Sequence, residues 1–117
     1  MKKSWKNFLD KYMKNKAEQI DTTQFQSDEM RRYDIIFSGL VQGVGFRYEV
    51  WTLAQKLQLT GYVENLPNET VHAQIQGPKN KIMYLIECLK QVPRIQIENV
   101  EIEELALKED TMFEIAN

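Results

Sequence analysis

The residues best suited to chemistry in this 117-residue chain lie in one glycine-rich segment, residues 39–47, which reads Gly-Leu-Val-Gln-Gly-Val-Gly-Phe-Arg. Gly43 and Gly45 permit positive φ, and such a turn directs successive main-chain N–H groups toward one point. A helix that begins directly afterwards adds free amides and the positive end of its dipole. Arg47, in the first helical turn, brings a planar guanidinium that matches two phosphate oxygens. The segment therefore predicts an anion site, although it has neither the Gly-Lys-Ser/Thr of a P-loop nor the three-glycine pattern of a dinucleotide loop.

The rest of the composition offers little other chemistry. His72 is the only histidine and Cys88 the only cysteine, which excludes a histidine-based zinc cluster, a disulfide framework and a multi-thiolate metal site. We therefore predict no metal and no cofactor. We expect His72 on a solvated face of a sheet beside Gln74 and Gln76, and Cys88 as a small apolar residue in a helix.

The hydrophobic pattern predicts the elements that must position the glycine-rich segment. Alternation at period two predicts strands, and apolar residues at i, i+3 and i+4 predict helices. A phase shift between Ile97 and Val100 predicts a β-bulge at Glu98 and Asn99. The predicted strands cover residues 33–41, 62–66, 71–76, 97–102 and 112–115, and the predicted helices 46–57 and 78–89. This order, β-α-β-β-α-β plus a short final strand, predicts an α+β fold of the ferredoxin-like split βαβ type, with an antiparallel sheet and both helices on one face.

Two motifs resemble those of the acylphosphatase family. The family loop reads Gly-x-Val-Gln-Gly-Val-Gly/Phe-Phe-Arg, and residues 39–47 meet every fixed position. The second family motif, Gly-Trp/Tyr-Val-x-Asn, is present at residues 61–65 as Gly-Tyr-Val-Glu-Asn. The resemblance covers about residues 33–115 and includes the order of the elements.

This resemblance implies a hydrolase that cleaves acyl phosphates to a carboxylate and inorganic phosphate without a metal. It implies that Arg47 binds the phosphoryl group and that Asn65 orients the attacking water. The cradling amides would be those of the loop: Gln42, Gly43, Val44, Gly45 and Phe46. The alternative is a non-catalytic module that binds a phosphoryl ligand on the same fold.

Three departures from the family pattern bear on this expectation. Val50 stands where threonine is common, and Gln58 replaces a common glycine before the second strand. Asn68 and Glu69 replace the usual Asp-Gly of the hairpin turn. Because glutamate disfavours positive φ, we expect Glu69 to resist the turn geometry that glycine would adopt.

The first thirty residues differ in composition from the remainder, so we predict two regions, an N-terminal extension (1–30) and the acylphosphatase-like domain (31–117). Residues 1–16 hold six lysines and one acid, and residues 17–30 hold four acids and no base. Helical spacing predicts an amphipathic basic helix followed by a polar linker. This helix could dock on its own domain, a second copy, a partner or a membrane surface, and the alternative is a mostly disordered tail. Its apolar face would comprise Trp5, Phe8, Leu9, Tyr12 and Met13.

Charge and hydropathy limit the remaining partners. The chain has a formal net charge of −2, and residues 31–117 are themselves acidic, which argues against RNA binding on the sheet. We find no apolar stretch long enough to span a membrane and no secretory signal. We therefore expect a cytoplasmic protein whose partner is a small-molecule acyl phosphate.

Overall fold

The computed structural model describes residues 25–117, so the predictions on the amphipathic helix and most of the linker lie outside the described residues. Five strands and two helices follow one another in the predicted order. Each helix presents one apolar face, and α2 begins directly after Pro78, a residue that suits the start of a helix. The elements are β1 (Met30–Leu40), α1 (Phe46–Leu57), β2 (Thr60–Asn65), β3 (Val71–Pro78), α2 (Lys79–Lys90), β4 (Gln96–Leu105) and β5 (Phe113–Ile115).

The strands form one sheet in the order β4-β1-β3-β2-β5. The predicted ferredoxin-like fold is confirmed, and the predicted antiparallel pairing holds for β1 to β4. The short final strand β5 instead runs parallel to β2. The reason is topological. β4 lies at the far edge of the sheet and runs opposite to β1 and β2. The chain crosses the sheet and reverses direction after β4, so β5 runs parallel to β2. The predicted bulge is also present, since Ser38 lies opposite Asn99 while Gly39 lies opposite Ile97.

Both helices pack on the same face of the sheet and contact each other. Their apolar faces and the inward residues of the strands form a single core with almost no exposure to solvent. Val50 lies fully inside it, so the valine that replaces a common threonine is an ordinary apolar core residue. The predicted packing of Cys88 is confirmed, and burial raises the pKa of its thiol to about 11. Fully buried members include Ile35, Phe37, Val50, Leu53, Leu57, Val63, Ala73, Ile75, Ile82, Leu85 and Leu89.

Within residues 25–117, two non-glycine residues have left-handed backbone conformations. Gln58 follows α1 with φ 59° and closes the helix, and its N–H donates to the carbonyls of Ala54 and Gln55. Glu69 has φ 68° in the turn between β2 and β3. The turn thus keeps the positive φ that we expected glutamate to resist, and the side-chain oxygen of Asn68 supports it by accepting from Thr70. Both positions carry the backbone strain that glycine avoids.

The other face of the sheet carries a polar network that corrects one expectation. His72 is not solvated: its side chain is only 14% exposed. Its Nε2 lies 2.6 Å from Asp34 Oδ1 and its Nδ1 lies 2.8 Å from Glu64 Oε2. Burial lowers the pKa of His72, but hydrogen bonds and the charges of the two carboxylates outweigh it, so the net pKa is raised. Strand alternation places Glu64 and His72 away from the helices.

Residues 25–29 contact the start of α2. The ring of Phe25 meets the ring of Tyr84 edge-on, with centroids 5.2 Å apart. Asp28 accepts from the main-chain N–H of Asn80 at 3.0 Å, which satisfies one free donor in the first turn of the helix. The domain boundary at residue 30 remains a prediction. In the described part of the chain, neither helix is long and apolar enough to cross a membrane.

Candidate active site

A cavity of about 230 Å³ lies at the end of the sheet where the strands β1, β2 and β5 terminate. Strands β1 and β2 are both antiparallel to β3, and β5 is parallel to β2, so all three run in the same direction. Their carboxyl ends therefore lie at the same end of the sheet. The glycine-rich loop follows β1, Asn65 ends β2 and Asn117 follows β5. Residues far apart in the sequence line one cavity as a result.

The loop has the conformation that its glycines predicted. Gly43 and Gly45 both have φ 75°. A Cβ added at Gly43 would meet nothing within 4 Å, so the backbone conformation rather than space requires glycine there. Gly45 is the N-cap of α1, and no side chain caps the helix. The first amides of α1 therefore remain available to an anion at the positive end of the helix dipole.

Two side chains brace this loop from outside the cavity. Gln42 Nε2 donates to the main-chain oxygens of Leu66, at 2.8 Å, and Thr70, at 2.9 Å. This joins the loop to the β2–β3 turn. On the other side, Arg94 Nε donates to the main-chain oxygen of Val44 at 2.7 Å.

Arg94 is itself held by a buried carboxylate. Its Nη2 lies 2.7 Å from Glu49 Oε1, and the Glu49 side chain is nearly inaccessible to solvent. The pair links the first turn of α1 to the segment before β4. The loop that was predicted to cradle phosphate is therefore fixed on both sides.

Arg47 and Asn65 are connected by Asn117. Arg47 Nη1 donates to the main-chain oxygen of Asn117 and, at 3.1 Å, to its side-chain Oδ1. The same Oδ1 accepts from the main-chain N–H of Asn65 at 2.9 Å, and Asn117 Nδ2 donates to the main-chain oxygen of Asn65 at 2.8 Å. One amide side chain thus continues the pairing of β5 with β2 and positions the guanidinium.

The side chain of Asn65 presents an unused acceptor. Its Oδ1 is buried and has no hydrogen-bond partner within residues 25–117. Asn65 lines the same cavity as Arg47. Because a buried polar atom without a partner is costly, this oxygen is suited to accept from a small molecule or a water in the cavity.

The structure brings together most of the residues that the sequence indicated. Five line the cavity (Gly43, Gly45, Phe46, Arg47 and Asn65), whereas Gln42 and Val44 do not line it. The prediction did not name the apolar lining residues Val41, Tyr48 and Ile115. It also missed three polar residues that hold the site together: Asn117, Arg94 and Glu49. Nothing in their spacing marks them, because each reaches the site through tertiary contacts. The family pattern ends near Asn117, and Arg94 lies in an irregular segment.

Fold and site together define a ferredoxin-like α+β domain with a glycine-rich loop, an arginine and an asparagine around one cavity. The acylphosphatase family model matches residues 33–115, and the chain belongs to the acylphosphatase family. It is 42% identical over 81 residues to an acylphosphatase of Acaryochloris marina, with 68% of this chain and 87% of that protein covered.

Solved structures agree with the sequence comparison. The crystal structure of an acylphosphatase from Bacillus subtilis is similar, with a TM-score of 0.70 and 33% identity, over 76% of this chain and all of that one. An acylphosphatase structure from Coxiella burnetii has a TM-score of 0.68 and 34% identity, over 74% of this chain and 92% of that one. The family predicted from the two motifs is confirmed.

Proposed function

We propose that this protein hydrolyses acyl phosphates to a carboxylate and inorganic phosphate in the cavity between Arg47 and Asn65. Family membership supports the reaction class. The single observation that carries the assignment of residues is that Asn65, whose buried Oδ1 has no hydrogen-bond partner among residues 25–117, lines the same cavity as Arg47. Asn65 and Arg47 thus belong to the lining of one cavity, where a guanidinium for the phosphoryl group and an amide for the water would be neighbours.

The phosphoryl group would be held by main-chain amides and one guanidinium. Phosphoryl transfer passes through a loose transition state with charge on three equatorial oxygens, so catalysis depends on positioning and charge stabilisation. The amides after Gly43 and Gly45 and the fork of Arg47 offer donors fixed before the substrate arrives. Such preorganised donors stabilise developing charge without reorganisation during the reaction.

The attacking water would be held by Asn65. Its Oδ1 can accept from the water while its main-chain groups stay fixed by Asn117. Holding the nucleophile in line converts an encounter into an intramolecular step. The side chain therefore orients the water and takes no proton.

Proton transfer needs no protein base in this scheme. The described residues that line the cavity include no His, Asp, Glu or Lys, and Glu64 lies with His72 on the other face of the sheet. A non-bridging oxygen of the substrate's phosphoryl group can accept the proton of the water. The leaving carboxylate is a weak base, so it departs without a general acid.

The deciding experiment is steady-state hydrolysis of benzoyl phosphate by the full chain. We expect Arg47→Ala to lose most activity and most inhibition by inorganic phosphate. Arg47→Lys should restore little of the activity, because the point charge of the lysine ammonium cannot reproduce the bidentate contact of the guanidinium. Asn65→Ala should lower kcat by about 10²–10³-fold while phosphate inhibition stays close to normal, by analogy with single oxyanion-hole donors.

Glu64→Gln is the matched control, since Glu64 neighbours Asn65 in sequence but faces away from the cavity. A steep fall in kcat for Glu64→Gln with a nearly silent Asn65→Ala would overturn the proposed roles. Phosphate binding without phosphate release by the wild type would instead identify the non-catalytic alternative. Activity should survive EDTA, and restoration of lost activity by a divalent ion would contradict the metal-free scheme.

We also propose a cytoplasmic location and no nucleic-acid partner. The support is compositional: the one cysteine is buried, and residues 31–117 are net acidic. Cell fractionation with an antibody to the chain tests the location, and a titration with RNA at low salt tests the second point.

A further inference from the structure

Two large apolar side chains at the cavity are left in solvent. Tyr48 is 62% exposed and Ile115 is 40% exposed, although both line the cavity with Arg47. The other apolar lining residues, Val41 and Phe46, are buried in the core. The cavity therefore has exposed apolar side chains at its rim. Its rim comes from two elements, α1 and β5.

Tyr48 is held in place by its neighbour on the helix. Its ring stacks on the ring of Trp51, with centroids 6.0 Å apart and an angle of 28° between the planes. Trp51 is partly buried and packs against the core. An aromatic ring that is already stacked loses little conformational freedom when a ligand contacts its other face. Tyr48 is thus a preorganised surface beside the arginine.

The chemistry of an acyl phosphate determines what must lie near this rim. Only one bridging oxygen separates the phosphorus from the carbonyl carbon, so the acyl group lies directly beside the bound phosphoryl group. The described cavity lining contains no cation besides Arg47 and no carboxylate side chain. An acyl group with a second charge would find no partner there, whereas an apolar or aromatic one could cover exposed apolar surface.

We propose that Tyr48, together with Ile115 of the same cavity lining, binds the acyl group of the substrate and favours aromatic acyl phosphates over small aliphatic ones. This inference rests on the proposed function, since it concerns the same site. The tyrosine ring would distinguish one acyl group from another, whereas the contacts to the phosphoryl group would be the same for all substrates.

The test compares benzoyl phosphate with acetyl phosphate as substrates of the full chain. We expect Tyr48→Ala to lower kcat/KM for benzoyl phosphate by about two- to tenfold, chiefly through KM, the range that one aromatic contact supports. The value for acetyl phosphate and the inhibition by inorganic phosphate should stay the same. Tyr48→Phe should keep the preference, because the ring rather than the hydroxyl makes the contact.

Leu107→Ala is the control, since Leu107 is 54% exposed and does not line the cavity. It should leave both substrates unaffected. An equal loss on both substrates in Tyr48→Ala, or no loss on either, would overturn the role of the rim while leaving the proposed hydrolysis intact. Failure of the wild type to hydrolyse either substrate would overturn the proposed function and the rim with it.

Discussion

Replacement of Asn117 by alanine tests whether the active site depends on one amide that sequence analysis did not identify. The variant loses three side-chain hydrogen bonds: Oδ1 to Arg47 at 3.1 Å, Oδ1 to the Asn65 N–H at 2.9 Å and Nδ2 to the Asn65 carbonyl at 2.8 Å. The main-chain contact between Asn117 and Arg47 remains. The Arg47 guanidinium thus keeps one of its two hydrogen bonds to Asn117, whereas Asn65 at the end of β2 loses both of its own.

The expected effect on stability is small. A protein hydrogen bond contributes about 0.5–1.5 kcal/mol net, and these three lie in an exposed setting where water can replace them. We expect a loss of roughly 1–2 kcal/mol in the free energy of unfolding, within the usual range for a point substitution. The protein therefore stays folded at 25 °C.

The expected effect on activity is larger, because positions matter more than total energy. A displacement of about 1 Å in a catalytic group can cost on the order of 10²-fold. We expect kcat/KM of Asn117→Ala to fall by about 10- to 100-fold, mostly in kcat, since the substitution leaves unchanged the loop amides that we propose bind phosphate.

The assay measures kcat and KM on benzoyl phosphate, inhibition by inorganic phosphate, and urea unfolding of the same preparations. Asn99→Ala is the control, because Asn99 is an exposed asparagine on β4, away from the cavity. Asn117→Asp keeps the acceptor but adds negative charge beside Arg47, so it should raise KM most. If kcat/KM of Asn117→Ala stays within about twofold of wild type at unchanged phosphate inhibition, the positioning role is refuted.

Three further predictions concern stability. The net pKa of His72 is raised, so its contribution to the free energy of unfolding is complete below an unfolded-state pKa of about 6.5 and is lost as pH rises through the folded-state pKa. The free energy of unfolding then falls by at most about 1.4 kcal/mol per pH unit. Urea unfolding between pH 6 and 9 should show this fall in wild type and not in His72→Gln, and parallel curves would refute it. Gln58→Gly and Glu69→Gly should each raise the free energy of unfolding by about 1 kcal/mol by removing left-handed strain, and an unchanged urea midpoint in both would contradict that reasoning. A chain truncated to begin at Met30 should remain active but be about 1–3 kcal/mol less stable than one beginning at Phe25, because it lacks an aromatic contact and a helix cap. Equal urea midpoints would show that these contacts contribute nothing.

The sequence predicted those features that local patterns encode. Alternation in β1, the apolar stripes of the helices and the phase shift at Glu98 each depend on neighbouring residues, and each is confirmed. The loop with Arg47 and the motif ending in Asn65 were recognisable because their residue types and spacing are specific.

The features that were missed depend on long-range contacts. The parallel pairing of β5 follows from the position of β4 at the opposite edge of the sheet. Local hydrophobic periodicity carries no information about that position. The role of Asn117 depends on that pairing, and Arg94 reaches the loop from an irregular segment. His72 was expected to be solvated because Gln74 and Gln76 on the same face of the strand are polar, but its partners Asp34 and Glu64 come from the two adjacent strands.

The position of β5 also determines when the site can exist during folding. β5 follows every other strand in the chain, yet it pairs with β2, some fifty residues earlier. Contacts of such sequence separation carry a loop-closure cost and form slowly. The helices and the four-stranded part of the sheet can assemble first, and Asn117 completes the site only when β5 docks. Turnover during refolding should therefore lag behind the recovery of helical circular dichroism, so enzymatic activity reports the docking of one three-residue strand.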